Sequence, residues 1–222
     1  MTSLSLLAAA LGATALWLAL TTVQAHKARK TARATYFSAV EPLFNKITTR
    51  VEPTGFARMT AHLEDAAFDL QAIPDSLTFR KLPALWVMLT LPAPMPVKAT
   101  LDIMARPAGN EPFSHFANLP QSLPCPPSLP EGTGLRSDDA TGVPPLELIA
   151  PHLAVFADPK VKELVISPKG LRLVILADEA ERGRFLIFRD AEVGATPLPA
   201  ERLTPLISTL LALRHTLNEA RE

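Results

Sequence analysis

Residues 4–25 form an unbroken run of 22 residues with no charged side chain, and a run of that kind admits few folds. As an α-helix rising 1.5 Å per residue it is roughly 33 Å long, close to the hydrocarbon thickness of a bilayer. A helix satisfies its own backbone donors and acceptors, so it can cross lipid with no polar group left bare. The run therefore predicts a transmembrane helix over residues 4–25, with the lipid bilayer as its partner. Two other readings compete. Val23-Gln24-Ala25 resembles a small-residue signal cleavage site, and cleavage there would make the remainder an exported envelope protein. A buried helix of a soluble protein is the third reading. Against cleavage, Met1-Thr2-Ser3 holds no Lys or Arg, and the basic cluster Lys27, Arg29, Lys30 and Arg33 comes after the run instead of preceding it. Lys and Arg beside a span favour the cytoplasmic side. The expected topology is single-pass, with the N-terminus outside and the remaining chain in the cytoplasm.

The formal net charge of zero hides an asymmetry that bears on partners. Those four cations stand in a segment without acids, which leaves 18 Lys and Arg against 22 Asp and Glu from residue 34 onward. A mildly acidic body is a poor surface for nucleic acid, whose binding depends on basic faces that displace counterions. No nucleic-acid partner is expected. Within the apolar run, Ala8, Gly12, Ala15 and Ala19 fall on one helical face, and such small residues let two membrane helices approach closely. Self-association through that stripe stands beside the simpler account, an alanine-rich chain.

After the anchor the periodicity changes. Residues 26–50 read as a basic, then amphipathic juxtamembrane segment, with Phe37, Val40, Phe44 and Ile47 at helical spacing over 34–50 and a bend at Pro42. Residues 51–222 read as one α+β domain. Strands are expected at 68–73, 76–80, 85–91 and 97–104, and again at 162–166, 171–176 and 184–189. Residues 59–64 fit strand or helix equally. The runs at 85–91 and 171–176 are apolar on both faces, as covered central strands are. Residues 107–145 hold nine of the 22 prolines and read as an insertion looping over the surface. A helix is expected at 146–156. Another is expected to run to about Arg221, opened by Thr204 as cap with Pro205 at its first position, or earlier at Pro199-Ala-Glu201 with a kink. Strands flanked by helices, without strict βαβ alternation, point to a mostly antiparallel sheet.

The chain shows no recognisable chemistry. Its nine glycines build no phosphate cradle, and neither a G-x-S-x-G elbow nor an H-E-x-x-H helix occurs. His26, His62, His115, His152 and His215 are scattered, and the single Cys125 sits among prolines with no base beside it. Asp178, Glu179 and Glu181 read as a solvated turn. Arg80, Lys81, Arg182, Arg184 and Arg189 flank expected strands and would make a basic patch if they came together; pairing with neighbouring acids is the simpler account. No catalytic, cofactor-binding or metal-binding residues are assigned, and no cofactor is expected.

Three segments carry a resemblance: Pro74-Asp-Ser-Leu-Thr-Phe-Arg-Lys-Leu-Pro-Ala-Leu-Trp86, Lys162-Glu-Leu-Val-Ile-Ser-Pro-Lys-Gly-Leu-Arg-Leu-Val174 and Ala180-Glu-Arg-Gly-Arg-Phe-Leu-Ile-Phe-Arg189. They resemble an uncharacterised family of bacterial single-span membrane proteins with a soluble C-terminal domain. The resemblance implies the bacterial inner membrane and transfers no activity. Anchor, domain and absent motifs together lead to the expectation of a non-enzymatic binding or scaffold domain, an accessory subunit of a membrane assembly with an unknown protein partner. An enzyme whose site is built from dispersed residues is the alternative.

Overall fold

The computed structural model describes residues 2–76, 82–188 and 192–220. Helix α1 (Thr2–Ala34) is unbroken for 33 residues. Its apolar part has a mean hydropathy of 1.9 and none of it is buried, so it is long and apolar enough to cross a membrane. Beyond it the chain folds as α+β: a nine-stranded antiparallel sheet with flanking helices.

The strands are β1 (Asn45–Val51), β2 (Ala57–Leu63), β3 (Ala66–Asp75), β4 (Ala84–Pro92), β5 (Leu101–Ala105), β6 (Gln121–Leu123), β7 (Thr133–Ser137), β8 (Val161–Ser167) and β9 (Gly170–Glu179). Their order in the sheet is β1-β2-β3-β4-β9-β8-β5-β7-β6. The β8–β9 hairpin is thus inserted between β4 and β5, although it lies far downstream of both in sequence. One row of register partners crosses seven strands: Met59, Leu70, Leu89, Leu173, Leu164, Ile103 and Leu135. Every member is at most 1% exposed. Such a row pins the register, because a slip by one residue would turn its strand's whole apolar set to the other face.

Helix α4 (Ala200–Glu219) covers that face through Leu203, Leu206, Leu210, Leu213 and Leu217. The short helix α2 (Leu146–Ile149) and the 3-10 turns that continue it to Ala157 add Ile149, Leu153 and Phe156. Leu203, Leu206, Leu210, Leu213 and Leu217, three and four residues apart, thus form one stripe packed on the sheet, while Ala220 lies exposed beyond it.

Several expectations need correction. Residues 34–50 are not an amphipathic helix. α1 ends at Ala34, a 3-10 turn spans Glu41–Leu43, and β1 begins at Asn45. Pro42 removes a helical donor, and the β-branched Thr48, Thr49 and Val51 pair with β2 instead. The apolar residues of the segment nonetheless face the core: Phe37, Val40 and Phe44 are buried, and Ile47 packs on them. Residues 59–63 resolve as strand, within β2, and Glu64 begins the turn to β3. The strand expected at 97–104 begins only at Leu101. The segment 107–145 is more than a surface loop, since it supplies β6 and β7 at one edge of the sheet. Residues 184–188 do not form a strand, because helix α3 (Arg182–Phe188) occupies that position, and Arg189 lies outside the described residues. β9 already pairs with β4 and β8, so the segment after it finds no sheet edge to join. α4 starts early and keeps Pro205 inside, while Thr204 donates its hydroxyl to the Ala200 carbonyl and caps nothing. Most of the strand expected at 76–80 lies outside the described residues.

Candidate functional site

Two places combine buried or constrained groups in ways that local sequence does not require. The first is the junction of α1 with the domain. Tyr36, Phe37 and Val40 come directly after α1 and are 2%, 1% and 0% exposed. Tyr36 packs edge-on against Phe37 and Phe56, at ring separations of 5.4 and 5.6 Å. Its carbonyl accepts from the Leu198 amide at 2.9 Å, just before α4. Burial, reinforced by Asp178, holds the Tyr36 phenol well above its ordinary pKa. Arg33, in the last turn of α1, lies over the Phe56 ring at 5.1 Å. The helix thus ends two residues before the core begins at Tyr36.

The second place is on the sheet face away from α4. Asp102 on β5 and Glu163 on β8 are 2% and 0% exposed. Glu163 accepts from Arg172 of β9 at 2.9 Å. Burial, then the charge of Glu163, push Asp102 up to about 8 against the pull of Arg172. Burial also raises Glu163, with Arg172 opposing. Asp102 therefore keeps its proton near neutrality and can donate it to the neighbouring carboxylate. Such sharing accounts for Asp102 Oδ1 and Glu163 Oε1, which are buried and have no other hydrogen-bond partner.

The Pro-rich segment roofs this cluster. Phe113 and Phe116 lie on Met104 and Val174, and Trp86 meets Phe113 at a ring separation of 5.0 Å. Gly134 on β7 makes room for Phe116, since a Cβ there would stand 2.8 Å from the ring. Arg136 fastens the far side by donating to the carbonyls of Ala117 and Leu119 at 3.1 and 2.9 Å. At the near side, the register of β8 shifts between Val161 and Glu163, which frees Lys162 from the alternation. Its ammonium donates to the carbonyls of Ala105 and Arg106 at 2.8 and 2.6 Å and stands 3.2 Å from Glu111. Glu111 in turn accepts from the amides of Ala108 and Gly109. Burial alone would raise this carboxyl; the Ala108 amide and Lys162 outweigh it and hold it below its usual range.

A cleft of about 230 Å3 opens beside the roof, lined by Trp86, Asn110, Glu111, Lys162 and Glu179 among others. It is smaller than the usual pocket for a drug-sized ligand. Its cation and the nearest carboxylate are engaged with each other. The cluster is built to stay closed, and its chemistry is proton sharing within the fold.

The residues singled out from sequence do not converge. Ala8, Gly12, Ala15 and Ala19 all lie exposed on α1. Arg182 and Arg184 lie on α3, not beside a strand, and Arg80, Lys81 and Arg189 lie outside the described residues. Asp178 is more than part of a solvated turn: its carboxylate accepts from the Gly194 amide at 2.8 Å and ties the 192–195 loop to β9. His152 meets the Thr216 hydroxyl at 2.9 Å between the 3-10 turns and α4. Cys125 is exposed, with its thiol raised by partial burial. No group of three or more His, Cys, Asp or Glu able to hold a metal occurs among the described residues. Sequence reasoning missed Asp102, Glu163 and the Lys162–Glu111 pair. The available signal was their company: Trp86, Met88, Val174 and Met104 alternate onto the same face.

No family model, no curated protein and no solved structure matches the chain.

Proposed function

We propose that this chain is a membrane-anchored binding or scaffold subunit, non-enzymatic, that holds its domain in a fixed pose against the bacterial inner membrane. The observation that carries this reading is the missing linker. α1 runs as one helix from the apolar run into residues that the core buries, so motion of the anchor is motion of the domain. Residues 26–34 extend the helix roughly 13.5 Å past the uncharged run, about two and a half turns. A freely diffusing catalyst needs no such rigidity, whereas a subunit that presents a surface to neighbours in the same membrane does. The four cations in that extension favour the cytoplasm for the domain.

Purification of the intact chain from its own membranes, with quantitative mass spectrometry, tests the reading. A partner at fixed ratio that survives high salt is expected. Recovery of the chain alone, as a single species of its own mass, rejects a subunit role.

A further inference from the structure

Large apolar side chains left exposed on the domain are few. Among the described residues outside α1 they are Val51, Leu186 and Ile187, exposed by 56%, 58% and 74%. They are not scattered. Val51 closes β1 and enters the turn to β2, where Gly55 stands beside Arg33 of α1 and Phe56 lies under the same guanidinium. Leu186 and Ile187 lie on α3. Arg184 of that helix, with Glu192 and Ala195, forms one wall of a hollow of about 440 Å3, and Ala25, Ala28, Arg29 and Ala32 of α1 form the other. Ala25 is the last residue of the uncharged run. α3 therefore stands level with the point where the anchor leaves lipid.

We infer that α3, with the end of β1 that also flanks the last turns of α1, is a second membrane contact. α3 lies in the headgroup layer of the bilayer that α1 crosses, with Leu186 and Ile187 turned toward the acyl chains. This rests on the anchor reading above. Three observations select lipid as the occupant. The patch is continuous with the anchor, so no separate encounter is needed to cover it. Its charge suits an anionic surface: α1 beyond the uncharged run and α3 carry Lys27, Arg29, Lys30, Arg33, Arg182 and Arg184, against Glu181, Glu192 and, next to Val51, Glu52 among the described residues. Its size argues against a second copy, because three apolar side chains fall far short of the 1,200–2,000 Å2 that a stable protein interface buries. A seven-residue helix is also marginal in water by itself, and an amphipathic helix gains order by seating its apolar side in an interface. An anchor alone leaves the domain free to turn about the helix axis. A second contact off that axis fixes its rotation.

The test uses the full chain with Cys125→Ser, reconstituted in vesicles of phosphatidylethanolamine and phosphatidylglycerol. A polarity-sensitive fluorophore is placed singly at Trp17→Cys, Ile187→Cys or Asn218→Cys. Nitroxide on the lipid acyl chains should quench the labels at 17 and 187 at least twofold more than the label at 218, and iodide should quench only the last. A quenched label at 17 with an iodide-accessible label at 187 overturns the second contact and leaves the anchor standing. A label at 187 shielded from both quenchers means that protein covers α3, which also overturns it. Failure of lipid quenching at 17 removes the anchor, and the second contact with it.

Discussion

Asp102 and Glu163 stand on one face of neighbouring strands, two residues apart in register, because Asp102 pairs with Val165 and Met104 with Glu163. Two carboxyls this close and this buried cannot both be charged without large cost. The proton they retain makes the fold sensitive to pH in a definite direction. In the unfolded chain an aspartate titrates near 3.9; in the fold Asp102 titrates at about 8. The folded state thus binds the extra proton between those values, so this contribution is complete below about pH 4 and is lost as pH rises through about 8. The urea unfolding free energy of the residue 35–222 domain, and its midpoint with it, should fall over that window, the free energy by at most about 1.4 kcal/mol per pH unit for one proton. Asp102→Asn keeps a donor toward Glu163 without a titrating group and should flatten the slope. A wild-type midpoint constant from pH 5 to 8 would contradict the shared proton.

Gly134 carries a separate prediction about the roof. Gly134→Val must push against Phe116, whose ring tip would stand 2.8 Å from the new Cβ. Overpacking of this kind costs typically about 1–3 kcal/mol. In a Phe116→Ala background the same change should cost much less, because the obstructing ring is gone. Equal costs in both backgrounds, measured by denaturant unfolding, would show that Phe116 does not rest on β7.

Those two sites also mark where local sequence stopped being informative. Alternation revealed β3 and part of β5, and short runs apolar on both faces marked β4 and β9, because each of these patterns is complete within a few residues. The leucine face of α4 is local in the same way, since it depends only on spacing along one helix. Asp102 and Glu163 looked like ordinary outward-facing polar residues in such strands. What makes them unusual is a roof supplied by residues 106–119, and the prolines that build the roof read as loop. α3 failed for the opposite reason. Phe185-Leu-Ile-Phe188 has strand composition, yet whether a strand forms depends on a free edge, and β9 has none to offer. Neither fact is local.

The interleaved order β4-β9-β8-β5 predicts how the domain unfolds. β4 and β5 are consecutive, yet the β8–β9 hairpin separates them. Residues 34–106 alone would expose Leu89 and Ile103, whose register partners Leu173 and Leu164 come from that hairpin. That fragment should be insoluble or unfolded. Leu173→Asp buries an unpaired charge in the middle of the seven-residue row and should unfold the whole sheet. Circular dichroism and intrinsic fluorescence of residues 35–222 should report one coincident transition. Two separable transitions, or a stably folded first fragment, would show two independent units.

The anchor sets the last prediction. A cleaved leader and a retained span share an apolar stretch, but they differ in the residues immediately downstream of it. Here α1 continues without a break from the uncharged run through Lys27, Arg29, Lys30 and Arg33 toward the buried Tyr36 and Phe37. Cleavage after Ala25 would leave a charged nine-residue stub in front of the core, with Arg33 still over Phe56. Retention uses the same residues as a membrane-flanking basic segment that resists transfer across the bilayer. The chain should therefore stay in the membrane pellet after alkaline carbonate and keep its N-terminal residues. Protease added to spheroplasts should spare residues 34–222, and a C-terminal reporter should work only if it is one that matures in the cytoplasm. A mature N-terminus at His26 would make the protein exported. Digestion of the domain in intact spheroplasts, with the anchor still present, would place the domain on the outer side and reverse the orientation.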